Sequence, residues 1–285
     1  MNRRIGVTTI AEALREAQAS IERIDAQYLL ADILGVGRAS LIANAERDLE
    51  ADAAQQFSQR VARRAGGEPV AYLIGTREFY GRDFIVNRDV LIPRPETEIL
   101  IEQALARLSG QIWPENRTSA RVLDMGTGSG AIAITLALEA PSAHVTACDI
   151  SAAALDIARQ NAHQLAARVE FVESNWYSAL AGDRFDLIVS NPPYVADGDA
   201  HLSEGDLRFE PKTAVTDGSD DGFASIRTIV AGAANHLTAG GWLLFEHGYD
   251  QAPAARDLLL KAGFDNLICT RDLAGIERVS GGQIR

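Results

Sequence analysis

The stretch Val122-Leu123-Asp124-Met125-Gly126-Thr127-Gly128-Ser129-Gly130 decides how this chain of 285 residues folds. A short apolar run ending in an acid, then glycine at every second position, reads as a strand, a tight turn and a helix start. Glycines let the backbone of such a turn approach a ligand closely. Working outward, the strand covers 121–124 and a helix follows over 131–139. A strand over 144–148, a helix over 152–165 and a strand over 169–172 come next. Further strands are expected over 185–189 and 242–246, with a helix over 225–237 before the last. Alternation of this kind predicts an α/β fold, a parallel sheet with helices on both faces. Residues 267–270 and 277–279 are expected to add antiparallel edge strands.

Asp149 follows the strand after the glycine turn, where a carboxylate can hold the hydroxyls of a ribose. A glycine turn alone is a weak signal, and a turn with such an acid in a strand-helix-strand unit is a stronger one. The Gly-x-Gly-x-Gly spacing departs from the dinucleotide pattern Gly-x-Gly-x-x-Gly. A carboxylate at Asp124 facing the turn would repel a pyrophosphate and attract a cationic ligand or an ammonium group. S-adenosylmethionine carries both a sulfonium and an ammonium. Asp124 has a second reading of equal weight, as a brace that caps the turn.

Asn191-Pro192-Pro193-Tyr194 follows the apolar run Phe185-Asp186-Leu187-Ile188-Val189-Ser190. Two prolines lack N–H donors and fix φ, so the strand stops there. The Asn is then held at the carboxyl edge of the sheet, where ligands sit in open α/β folds. An Asn amide oxygen and a proline carbonyl aimed at one point can accept both hydrogens of a planar NH2 group. A Tyr ring beside them can stack on the plane that carries it. The bland alternative is a plain strand-ending turn.

No stretch approaches the apolar length that spans a bilayer. Met1-Asn2-Arg3-Arg4-Ile5 carries positive charge but leads into Glu12, Arg15 and Glu16, so no export signal is expected. The two cysteines, Cys148 and Cys269, sit in apolar runs without ligand-like neighbours. Buried, reduced thiols in a cytoplasmic protein are the expectation, and no metal site. The formal net charge is −12 and the pI about 4.9, where a nucleic-acid binder shows a basic footprint. A protein or small-molecule partner fits better, and a basic protein would be steered in by this field.

Residues 1–68 read as a small helical bundle. Thr8 or Thr9 caps a face of Ile10, Ala13, Leu14 and Ala17, and a second face ends at Gly35 and Gly37. Residues 69–90 read as a hairpin linker, with Val70, Tyr72, Ile74, Phe79, Phe84 and Val86 straddling Gly75 and Gly81. Residues 91–285 form the α/β part.

The paired motifs at 124–130 and 191–194 resemble those of S-adenosylmethionine-dependent amino-methyltransferases. The stretches 67–75 (Gly-Glu-Pro-Val-Ala-Tyr-Leu-Ile-Gly), 78–81 (Glu-Phe-Tyr-Gly) and 91–98 (Leu-Ile-Pro-Arg-Pro-Glu-Thr-Glu) narrow the resemblance. With Glu210-Pro211 and Asp221-Gly222, they resemble the release-factor glutamine methyltransferases, the PrmC/HemK family, over nearly the full length. The resemblance implies a Rossmann-like class I methyltransferase sheet, an N-terminal substrate-binding domain, and methylation of the Gln side-chain amide in a Gly-Gly-Gln loop of peptide-chain release factors. It places the cofactor on Asp124, Gly126, Thr127, Gly128, Ser129, Gly130, Asp149, Trp176 and Asn191. It places the substrate Gln on Asn191, Pro192, Pro193 and Tyr194, with Asn191, Pro192 and Tyr194 in the catalytic role. The family often has an acid before the Trp. Asn175 stands there, so a neutral hydrogen bond to adenine is expected instead.

No general base is evident among these four residues, and His201, His236 and His247 read as surface or structural. Loop 195–222 carries eight acids and is a candidate lid. The tail Ser280-Gly281-Gly282-Gln283 reads as a flexible C-terminus whose Gly-Gly-Gln is a coincidence. A monomer without nucleic-acid or membrane partners is expected. The rival readings are a ribosomal-protein glutamine methyltransferase, a nucleic-acid amino-methyltransferase, and a cofactor-fold binding protein without activity.

Overall fold

The computed structural model describes residues 8–109, 119–203 and 205–285, with the His201 side chain outside the description. The export-signal reading at residues 1–5 and the His201 reading therefore lie outside the described residues. The chain divides into two units, Met1–Thr76 and Arg77–Arg285.

In the first unit Thr9 opens α1 (Ile10–Ala17) with a reciprocal cap. Glu12 N donates to Thr9 Oγ1 at 3.3 Å, and Thr9 N donates to Glu12 Oε2 at 3.0 Å. Helix α2 (Arg23–Leu34) stops at Gly35, whose left-handed φ of 62° suits a residue without Cβ. Helices α3 (Arg38–Ala43), α4 (Ala51–Ala65) and α5 (Val70–Ile74) complete the unit around Ile10, Leu29, Leu30, Leu41, Phe57 and Leu73. Arg60 and Arg64 of α4 bind Asp32 and Asp25 of α2. Residues 70–74 are helical, against the expected strand. The buried side chains there are Ala71 and Leu73, not the alternating Val70, Tyr72 and Ile74. A five-residue pattern is too short to separate the two periods, and packing against α2 and α4 decides.

The hairpin lies just beyond, β1 (Thr76–Phe79) and β2 (Arg82–Ile85), with Tyr80 and Gly81 both at positive φ as a tight hairpin turn requires. Phe79 and Phe84 pack edge-on at 6.0 Å in the core.

After helix α6 (Glu98–Leu108) come β3 (Arg121–Met125), α7 (Ala131–Glu139), β4 (His144–Asp149), α8 (Ala152–Gln164), β5 (Val169–Glu173) and β6 (Phe185–Ser190). Then follow α9 (Lys212–Val215), α10 (Ala224–His236), β7 (Leu237–Glu246), α11 (Ala252–Lys261), β8 (Phe264–Arg271) and β9 (Glu277–Ile284). The sheet order is β5-β4-β3-β6-β7-β9-β8, parallel through β7, with β9 antiparallel to both its neighbours. Apolar layers cover both faces. The chain runs outward from β3 to β5, then returns to lay β6 on the other side of β3. That reversal opens a crevice at the carboxyl ends of β3 and β6. Asn161 of α8 ties the hairpin to the crevice, with Oδ1 accepting from Ile85 N and Nδ2 donating to the Ile85 and Ser129 carbonyls.

Two expectations fail at the C-terminus. Strand β9 is interior, not an edge, and the supposed flexible tail is its second half. Gln283 Nε2 donates to Gly240 O and its Oε1 accepts from Asn266 Nδ2, each at 2.8 Å. Gln283 pairs opposite Trp242, far along β7 from Glu246, so this amide is a structural group. Cys148 is buried as expected, whereas Cys269 on the edge strand β8 is exposed.

A Cβ on Gly281 would collide with the Leu243 carbonyl and press on Leu244. Gly281→Val is expected to cost on the order of 3 kcal/mol, read as a lowered urea midpoint. An unchanged midpoint would contradict the interior position of β9.

Candidate active site

The glycine turn is drawn against β4 by two backbone bonds, Gly126 N and Thr127 N both donating to Cys148 O at 2.8 and 3.0 Å. Gly126, Gly128 and Gly130 all have positive φ, 72°, 54° and 82°. Their duties differ. A Cβ on Gly130 would stand 2.8 Å from Ile134 Cδ1 and 3.1 Å from Ala158 Cβ, so this glycine serves the packing of α7 on α8. Gly126, Thr127, Gly128 and Ser129 line a cavity of about 330 Å³, and Gly130 does not.

Asp149, at the end of β4, also lines the cavity. Its Oδ2 accepts from Gly128 N and its Oδ1 from Ser151 N, each at 2.9 Å. Burial pushes its pKa up, and these donors oppose the shift. Asp124 sits behind the turn with no exposed surface, outside the lining. Thr127 Oγ1 and Ala133 N both donate to its Oδ2, at 2.6 and 3.1 Å, while Oδ1 has no hydrogen-bond partner. The brace reading therefore holds for one oxygen, and the other is left over. Burial, with the Asp149 charge nearby, raises the Asp124 pKa to about 7.

Trp176 and Asn175 line the same cavity. Trp176 holds a left-handed φ of 51°, unusual for a bulky residue. Its carbonyl accepts from Ser174 Oγ at 2.7 Å, which helps fix that backbone.

Of Asn191-Pro192-Pro193-Tyr194, Asn191 and Pro193 reach the cavity, whereas Pro192 is buried and Tyr194 is half-buried outside its lining. Asn191 Nδ2 donates to Thr97 Oγ1 at 3.0 Å. Thr97 Oγ1 donates in turn to Glu246 Oε2 at 2.7 Å, and the Tyr194 hydroxyl donates to Glu246 Oε1 at 3.0 Å. Glu246 closes β7 at 1% exposure, and burial raises its pKa. Burial beside this carboxylate also holds the Tyr194 phenol well above its ordinary range.

Sequence reasoning assigned no site role to Thr97 or Glu246. They lie 94 residues before and 55 after Asn191, and only the fold joins them. The one available signal was the dense motif at 91–98, left unexplained as chemistry. That segment also supplies Arg94, whose guanidinium pairs with the buried carboxylate of Glu210, and Ile92 N, which donates to Glu210 Oε2.

Loop 195–222 returns to the Asn-Pro-Pro-Tyr turn. Val195 N donates to Val215 O, Asp197 N to Ser219 O, and Gln251 Nε2 to the Tyr194 and Gly222 carbonyls. Its acids are not simply solvated: Asp217 accepts from Ser219 and Ser225 N, and Asp221 pairs with Arg227. Of the remaining histidines, His247 is buried with Nε2 against Ser280 Oγ, and His236 stacks on Tyr177 at 4.3 Å.

A parallel sheet reversing at β3 and β6, with the glycine turn on one strand and Asn-Pro-Pro-Tyr on the other, defines a class I methyltransferase. Residues 103–206 match the family model for the methyltransferase small domain, and residues 7–75 the PrmC N-terminal domain. The chain is 51% identical to the release factor glutamine methyltransferase of Bordetella pertussis, covering 94% of this chain and 97% of that protein. It is 43% identical to that of Escherichia coli, covering 96% and 97%. The chain belongs to the release factor glutamine methyltransferase family. Among solved structures, the T. thermophilus 16S rRNA N2 G1207 methyltransferase in complex with AdoMet and guanosine superposes with a TM-score of 0.52 at 21% identity. The match covers 74% of this chain and 50% of that one, a likeness of fold.

The raised Asp124 pKa has a signed consequence. The folded state retains the proton up to about pH 7 while the unfolded chain loses it near the ordinary aspartate value of 3.8. Asp124 thus favours folding most below that lower value, and its contribution falls as pH rises to about 7. Asp124→Asn is expected to flatten the pH dependence of the urea midpoint across this window and to match or exceed wild-type stability at pH 8. A parallel pH profile in the variant would refute the buried carboxyl assignment.

Proposed function

We propose that this chain transfers the methyl group of S-adenosylmethionine to the side-chain amide nitrogen of the Gln in the Gly-Gly-Gln loop of peptide-chain release factors. The observation that carries the reading is the state of Asn191. Its nitrogen is tied back to Thr97, while no hydrogen bond within the described residues occupies its oxygen. A pincer of that polarity accepts NH2 hydrogens and suits an uncharged amide.

The residues fit the cofactor. Asp149 gives each oxygen one backbone donor and keeps acceptor capacity for ribose hydroxyls. Asp124, buried behind the turn and outside the cavity lining, would act on the ligand through the turn that it braces at Thr127 Oγ1 and Ala133 N. A cavity of about 330 Å³ is within the range of small-molecule sites. When bound, S-adenosylmethionine supplies a methyl group on a positively charged sulfur and leaves as a neutral thioether.

An amide nitrogen is a weak nucleophile because its lone pair is delocalised into the carbonyl. Asn191 Oδ1 and the Pro192 carbonyl would accept its two hydrogens, set its orientation and return electron density to nitrogen. Tyr194 would border the amide, its ring direction set by the bond to Glu246. Orientation of this kind is worth roughly 7–11 kcal/mol in favourable cases. The nitrogen gains a carbon, and one of its protons leaves to water.

The same reading assigns residues 1–68 to substrate binding, 69–90 to the linker and 91–285 to catalysis, in a cytoplasmic monomer. The test is incubation with labelled cofactor and, in separate reactions, a release factor, a ribosomal protein and nucleic acid, with the label mapped by mass. Label on the Gly-Gly-Gln glutamine alone is expected, and label on either of the other substrates would sink the assignment. Asn191→Ala should lower turnover by at least about 100-fold, the scale of losing an aimed hydrogen-bonding group.

A further inference from the structure

Glu246 is a buried carboxylate beside the crevice that the methyl-transfer reading uses only to hold Tyr194. It is buried at the carboxyl end of β7 with both oxygens engaged, Oε2 by Thr97 and Oε1 by Tyr194. The chemistry of these bonds is directional. An ionised carboxylate can only accept, so both hydroxyl protons must point at it. With its proton committed to Glu246, the Thr97 oxygen can only accept in its other contact. That contact is Asn191 at 3.0 Å, and the carboxamide must therefore present Nδ2 to Thr97 and turn Oδ1 away from it. A carboxamide is nearly symmetric in shape, so packing alone does not choose between its two flips. The choice comes from the polarity of the relay.

We infer that Glu246 is a positioning residue which, through Thr97, fixes the flip state of the Asn191 carboxamide and, through Tyr194, the direction of the phenol. The inference rests on Asn191 acting as the acceptor proposed above. It also gives that acceptor an on and off state. Protonated Glu246 gains a donor and can donate to Thr97. Thr97 is then free to donate to Asn191, which stabilises the opposite flip and turns an NH2 toward the incoming amide, where two donors face each other.

The groups around Glu246 bear on its ionisation. Burial and Glu96, on the turn before α6, favour the neutral form. Thr97, Tyr194 and the charge of Arg278 on β9 favour the ionised one. Arg278 itself binds Asp272, and the neighbouring His247 faces Ser280, with burial lowering its pKa. The net direction is upward, so the relay fails from the acid side: orientation is lost as pH falls through the Glu246 pKa and holds above it.

The test combines kinetics with a probe that does not depend on turnover. In Thr97→Val, kcat for release-factor methylation should fall at least about tenfold while KM and cofactor affinity change little. Thr97→Ser, which keeps the hydroxyl, should recover most of the loss. In the free protein labelled with nitrogen-15 at Asn, the Asn191 side-chain amide, assigned through Asn191→Asp, should shift as pH is lowered. The shift should vanish in Glu246→Gln, together with the acid limb of the kcat profile. Equal losses in the Val and Ser variants, or an Asn191 signal unmoved by pH in wild type, would overturn the inference. Because the resonance is read without substrate, a wrong substrate assignment would silence the kinetic arm and leave this one standing.

Discussion

Everything in the crevice depends on the parallel pairing of β3 with β6. The chain lays β4 and β5 on one side of β3 and only then returns, so Met125 and Ser190 end as ladder partners although 65 residues separate them. Ser190 Oγ donates to Met125 O at 2.7 Å and locks the two strand ends. The next residues on one strand are the glycine turn, and on the other Asn191. The glycine turn and the Asn-Pro-Pro-Tyr turn are thus neighbours by topology. A loop extension elsewhere would leave them so, whereas a register slip of one residue between these strands would turn one of them to the wrong face.

Around that junction three buried acids are treated in three ways. Glu210 has a full partner in Arg94 and a backbone donor, and serves to tie the 91–98 segment to the loop after Tyr194. Glu246 has two hydroxyl donors and no cation in direct contact among the described residues, and burial raises its pKa. Asp124 has donors to one oxygen only. An unpaired buried acceptor costs roughly 1–3 kcal/mol. The fold carries that cost directly behind the glycine turn, where Asp124 braces Thr127 and the start of α7. The degree of completion falls from Glu210, through Glu246, to Asp124.

Much of this was legible along the chain. The strand expected over 121–124, which runs one residue longer, its glycines, the acid at 149 and the proline stop at 192 are local patterns with local causes. What was not legible is of two kinds. Short periodicities misled where burial decided, as at 70–74 and in β9, whose glycines pass between β7 and β8 because neither neighbour leaves room for a side chain. Long-range polar partners gave no local signal at all. Thr97 stood inside the 91–98 motif without a site role of its own and Glu246 at the end of an expected strand, and it is Asn191, far from both in sequence, that joins them.

The same bonds bear on where the proton of the amide would go in the proposed reaction. Glu246 already accepts from two hydroxyls and is shielded from the cavity by Thr97 and Tyr194. His247 is turned toward β9, and Asp149 is committed to the backbone of the glycine turn and to Ser151. None of these is placed to take a proton from a group on Asn191, and none needs to be. Methylation leaves the nitrogen cationic and strongly acidic, so water at the open side of the crevice suffices as acceptor. On that reading the buried polar groups serve orientation before bond formation, which is where an amide nucleophile is deficient.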